Sequence, residues 1–189
     1  MYYLDLFASF ALFYFTKYIT FKNDTYIKNK QPQIPHYDIW RDNIGTPLIN
    51  YYYLDDIAVF LWVVLNLYSI NTLNDLQNMI RLTNLLYLIR VICVSTTYGY
   101  ISPRRHARNI IDRFDFNYTC TDLIISGHAL LTTVSFISVY NNNTIPIILS
   151  IPLYICTLLC ILATGNHYTV DVILAVILTY LVYKSAIYI

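Results

Sequence analysis

The chain has 189 residues, a net charge of +1, 57% hydrophobic and only 12% charged residues, and a mean hydropathy of +0.49. Soluble domains average about 25% charged residues, so this composition excludes an ordinary soluble fold and reads as a single all-α integral membrane domain, 1–189. The near-neutral charge carries no footprint for nucleic acid.

A membrane-crossing helix needs about 20 mostly apolar residues. Six stretches qualify as candidates, predicting a bundle of six transmembrane helices. They are Leu4 to about Thr20, Asp56–Ile70, Leu82–Ile101 with Arg90 inside it, Leu123–Tyr140, Ile145–Ala163 and Tyr168–Ile189. The first lacks a basic leader and carries Asp5, which predicts an anchor helix rather than a signal peptide. The connections at Asn71–Arg81 and Asn141–Thr144 are short, as in hairpins of antiparallel helices. Loop one, "KNDTYIKNKQPQIPHYDIWRDNIGTPL", holds prolines and scattered charges that argue against a regular helix. Loop three is "SPRRHARNIIDRFDFNYTCTD", and loop five is the tight "TGN". With six spans, loops one, three and five share one face of the membrane. The four cysteines, Cys93, Cys120, Cys156 and Cys160, form no zinc pattern and are expected to be buried free thiols.

Two segments carry candidate chemistry. In "ATGNHYTVDVILAV", residues 163–176, a helix starting near Asn166 would put His167 and Asp171 at i and i+4 on one face. A carboxylate bonded to one ring nitrogen fixes the tautomer and aims the other outward. A histidine so held can attack phosphorus and form a phospho-histidine. In "CTDLIISGHALL", residues 120–131, His128 opens another span on the same face. It can protonate a leaving alkoxide and then deprotonate an incoming hydroxyl. The bland alternative is polar satisfaction of a helix mouth. Ionisable residues in membrane segments are costly and tend to mark function, and two such motifs on one face outweigh either alone. Arg90 can clamp a phosphate or pair with a carboxylate. Asp122 can meet a headgroup cation or cap a helix. Ser126 and Gly127 suit close approach of a lipid to the backbone, and Tyr168 is a candidate substrate contact beside His167.

"SGH" and "HYTVD" resemble the third and fourth signature motifs of the sphingomyelin synthases, within the wider lipid phosphatase and phosphotransferase superfamily. "CTDLIISGHALL" is similar to that family's Cys-Gly-Asp…Ser-Gly-His stretch, with Thr121 in place of Gly. "LLYLIRVICVSTT", residues 85–97, resembles the second motif, with Arg90 at its arginine. "QPQIPHYD", residues 31–38, resembles the first, Pro-Pro-Leu-Pro-Asp, with His36 replacing the aspartate. The likeness runs from about Gln31 to the C-terminus. It implies transfer of a phospho-headgroup, phosphocholine foremost, from a glycerophospholipid to ceramide, releasing diacylglycerol. His167 would be the nucleophile, Asp171 its orienter, and His128 the acid and then the base. Membrane lipids would be the partners, and no cofactor or metal is implied.

Two rivals differ in class. A lipid phosphate phosphatase would use a similar trio with water as acceptor. Its Lys, six residues, Arg-Pro run is not found here, and "CILATGN" before His167 holds no arginine. A non-catalytic lipid-binding protein has no need of an intact trio. Loops one and three hold most of the Lys and Arg, which by the positive-inside bias would put the active face in the cytosol. The resemblance implies a luminal or extracellular active face in the secretory pathway or plasma membrane. Glycosylation mapping in microsomes is expected to modify the sequons at Asn23 or Asn117. Modification at neither, with protease cleaving loop three from the cytosolic side, would place that face in the cytosol.

Overall fold

A computed structural model describes residues 2–28, 38–51, 53–96 and 125–186. Among them are seven α-helices and one short 3₁₀ turn, Ile49–Tyr51, with no strand. The helices are α1 (Tyr2–Lys28), α2 (Ile39–Asn43), α3 (Tyr53–Ser69), α4 (Leu73–Thr96), α5 (Gly127–Asn141), α6 (Ile147–Ala163) and α7 (Thr169–Ala186).

Each of the six apolar stretches forms one of the six longer helices, with shifted ends. The connection after α3 is shorter than the sequence suggested, because α4 starts at Leu73. Thr72 and Asp75 explain that start. The Thr72 N–H donates to Asp75 Oδ2 at 3.0 Å, and the Asp75 N–H donates to Thr72 Oγ1 at 3.1 Å. This reciprocal pair satisfies two backbone donors that a helix start leaves open. Loop one is also partly helical, against expectation. Helix α1 continues through Lys28 because its first proline comes later, at Pro32. Asp38 then caps α2 by accepting from the Arg41 N–H at 2.9 Å.

Among the described residues one helix, α4, is long and apolar enough to cross a membrane, while α6 is apolar over 17 residues. Large apolar side chains nevertheless line the outward faces of α1, α3, α6 and α7, among them Phe7, Phe10, Leu61, Ile148, Leu149 and Leu181. Cys156 is exposed on α6 rather than buried, and Cys93 and Cys160 are half-buried free thiols. Cys120 lies outside the described residues.

Helix α5 is the centre. It packs against α3, α4, α6 and α7, while α1 lies against α4. The buried positions of α5 are mostly small: Gly127, Ala129, Thr132, Thr133, Val134 and Ser135. Small side chains let helix backbones approach closely, and hydroxyls bond within the helix or across it. Thr133 Oγ1 does both, donating to the Ala129 carbonyl at 2.6 Å and meeting Tyr154 Oη at 2.9 Å. On α3 the buried residues are Asp55, Val59, Trp62, Asn66 and Ser69, a stripe spaced 4, 3, 4, 3 that faces α5 and α6. Trp62 is 1% exposed, donates from Nε1 to Thr157 Oγ1 at 3.0 Å, and packs edge-on to Phe136 and Tyr154. Trp62→Ala should cost about 3–5 kcal/mol. It should appear as a large fall in the thermal unfolding midpoint of detergent-purified protein, whereas exposed Leu61→Ala should leave that midpoint nearly unchanged.

Candidate active site

The bundle closes one of its ends with four elements: the first turns of α3, α5 and α7, and short α2. Backbone contacts tie them together. The Ser126 N–H donates to the Asp171 carbonyl at 3.3 Å, and the Leu48 N–H donates to the Ala163 carbonyl at 3.0 Å. Asp38 bridges α2 to the start of α7 through the Thr169 N–H, at 2.6 Å, and its hydroxyl, at 3.0 Å. Residues 38–48 of loop one and the tight loop five therefore share one end with both motif histidines, while loop three lies outside the described residues.

His128 sits in the first turn of α5, and His167 lies in the turn ahead of α7. Their rings approach each other, with His128 Nδ1 3.4 Å from His167 Nε2. The other nitrogen of His128, Nε2, is 2.8 Å from Asp56 Oδ1. The carboxylate accepts from Nε2–H, which leaves Nδ1 facing His167. His128 and Asp56 side chains remain 32% and 52% exposed, so the pair is open to a substrate.

Asp56 is the residue that sequence reasoning missed. Its signal was "LDD" at the head of an apolar run, which reads equally well as ordinary acidic residues in a first helical turn.

Asp171 is placed differently from the sequence expectation. Helix α7 starts at Thr169, so His167 stands outside it and the two residues do not form a helical i, i+4 pair. Asp171 Oδ2 accepts from the Tyr168 N–H at 2.9 Å and is buried. It thereby fixes the backbone next to His167. The helix starts late because a capping carboxylate three residues into the turn competes for that N–H.

Arg90 is buried, and its Nε donates to the Ile125 carbonyl at 3.0 Å. Its guanidinium lies under the "SGH" turn, where a Cβ on Gly127 would come within 3.2 Å of it. Ser126 is fully buried and caps α5 by accepting from the Ala129 N–H at 3.1 Å. Tyr168 is buried beneath Arg41, whose guanidinium lies 5.1 Å from the ring centre. Arg41 also bonds Asp42 at 3.0 Å and holds that carboxyl below its usual range. Asp122, His36 and His106 lie outside the described residues.

The turn carrying His167 depends on Gly165, whose φ is +71° and whose added Cβ would meet Thr46 Cγ2 at 3.0 Å. Gly165→Ala should destabilise by about 1–2 kcal/mol through the left-handed backbone alone. A lower unfolding midpoint, only partly restored by adding Thr46→Ser, is the expected result.

No curated protein matches the chain. Residues 119–188 match the PAP2 superfamily C-terminal family. That stretch holds α5, α6 and α7 with His128, His167 and Asp171. The match points to an enzyme acting on phosphate esters, with phosphatase- or phosphotransferase-type chemistry on lipid phosphates, and over these residues the chain is similar to that superfamily.

Proposed function

We propose that the protein is a multi-pass membrane phosphotransferase that moves a phospho-headgroup from a glycerophospholipid to ceramide through a phospho-histidine on His167. The observation that carries this reading is the facing pair His128 and His167, with Asp56 behind the former. The sphingomyelin synthase-like motifs support the substrates, and the outward apolar faces support six membrane-embedded helices.

Both ring nitrogens that face the gap have work in a two-step displacement. His167 Nε2 attacks phosphorus, forming an N–P bond as the bond to the diacylglycerol oxygen breaks. His128 enters this step doubly protonated, Nε2–H on Asp56 and Nδ1–H toward the gap; Nδ1 gives its proton to that oxygen, leaving His128 neutral, and diacylglycerol leaves. The ceramide hydroxyl then enters, His128 Nδ1 takes its proton, and the new P–O bond forms as N–P breaks. The 3.4 Å gap between the nitrogens opens to admit the phosphoryl group. Asp56 keeps His128 in the tautomer with Nδ1 toward the reaction. Asp171 holds the turn at Tyr168 and with it His167. Arg90, under the Gly127 turn, supplies fixed positive charge near the developing phosphorane, Ser126 holds that turn as the cap of α5, and Tyr168 and Asp122 are the further candidate substrate contacts. The active face would be luminal or extracellular.

Water as acceptor would make the same machinery a phosphatase, so the product decides the class. Membranes with the protein should convert fluorescent ceramide and mixed phospholipids into a phosphosphingolipid, identified by mass spectrometry. Phosphate release from phosphatidic acid without that product would assign a phosphatase instead. His167→Ala and Asp171→Ala should abolish turnover in folded protein, and His128→Ala should lower it by about 10²–10⁴-fold. Asp56→Asn should lower kcat by up to about 100-fold, the low end of what a positioned general acid–base group contributes. Wild-type turnover in any one of them would remove that residue from its role.

A further inference from the structure

We infer that Asp55 is a positioning residue for this reaction, holding the Thr164–Asn166 turn so that His167 meets His128. The inference rests on the phosphotransfer reading above. Asp55 and Asp56 are neighbours in the first turn of α3, yet their environments differ completely. Asp56 faces the open site and His128. Asp55 is 0% exposed and turns inward. Its Oδ2 accepts from Thr164 Oγ1 at 3.1 Å and from Asn166 Nδ2 at a short contact, and its Oδ1 accepts from the Asp56 N–H at 3.0 Å.

A fully buried carboxylate is costly unless several donors surround it. Here the donors come from the two residues flanking Gly165, immediately ahead of His167, and from the backbone of Asp56 itself. One carboxylate thus fastens the segment bearing one histidine and the residue that holds the other. The His128–His167 gap is set by the first turn of α3. The bland role for Asp55 is to satisfy a turn in the core. That role alone predicts a change in stability, with no specific change in kcat among molecules that remain folded.

The test uses full-length protein in detergent–lipid micelles, assayed with fluorescent ceramide plus phosphatidylcholine and, separately, with phosphatidic acid. Asp55→Asn removes an acceptor, and Asn166→Asp sets two carboxylates against each other. The double variant D55N/N166D restores a complementary donor and acceptor with their places exchanged. Each single change should lower kcat by about 10- to 100-fold with KM little altered, since small misplacements of reacting groups cost that much. The double variant should recover most of the loss. Unchanged kcat in folded Asp55→Asn, or a folded double variant no better than the poorer single one, would overturn the assignment. Should neither single variant fold, a folded double variant decides by its kcat. Thr164→Val, which removes one donor and no charge, decides if the double variant does not fold: lowered kcat at unchanged KM supports the role and wild-type kcat ends it. His167→Ala separates the two levels. An active His167→Ala, or a wild type that turns over none of these lipids, ends the phosphotransfer reading and the role of Asp55 with it. An inactive His167→Ala beside a fully active Asp55→Asn ends only the role of Asp55.

Discussion

Four helices press on α5, and that constraint organises the rest of the molecule. A helix surrounded on most sides must present small residues, and its hydroxyls must find partners within the bundle. The sequence of α5 meets the first demand and most of the second, with Thr133 bonding back to Ala129 and across to Tyr154, while the buried Thr132 Oγ1 meets no partner among the described residues. Once α5 is so confined, its first residue Gly127 lies against Arg90 and its second, His128, has one direction left, toward the end where α3 and α7 begin. The site grows out of the packing of the bundle rather than being appended to it.

The residues at that end divide between reach and restraint. His128, His167 and Asp56 are half-buried or exposed, as groups that handle a substrate must be. Behind them stand Asp38, Asp55, Arg90, Ser126 and Asp171, all buried and all bonded to backbone or to turn side chains. All five hold helix starts or the turns before them. Such bonds fix backbone, and fixed backbone narrows the directions open to the side chains it carries.

Much of this was legible in the sequence because apolar runs report helices directly, and all six longer helices fall where such runs lie. The two histidines were legible because ionisable groups stand out against an apolar background. What was hidden has physical causes. The four-residue spacing of His167 and Asp171 puts them on one face only in a helix, and a capping carboxylate delayed that helix to Thr169. The helix in loop one depends on Asp38 as a cap, and the prolines nearby mask that signal. Asp56 was invisible because its partner lies 72 residues away, and no local pattern encodes a contact at that distance. The same holds for Asp55, whose side-chain donors lie more than a hundred residues along the chain.

The stripe on α3 has one more consequence. Asp55 and Trp62 lie two turns apart on the same buried face, so one phase of a single helix sets both the core anchor and the carboxylate at the site. Each residue of an α-helix turns the chain by about 100°. Adding or deleting one residue between positions 55 and 62 would leave Trp62 seated against Thr157 and swing the aspartates away from their partners. The length of that interval is therefore a coded quantity in its own right.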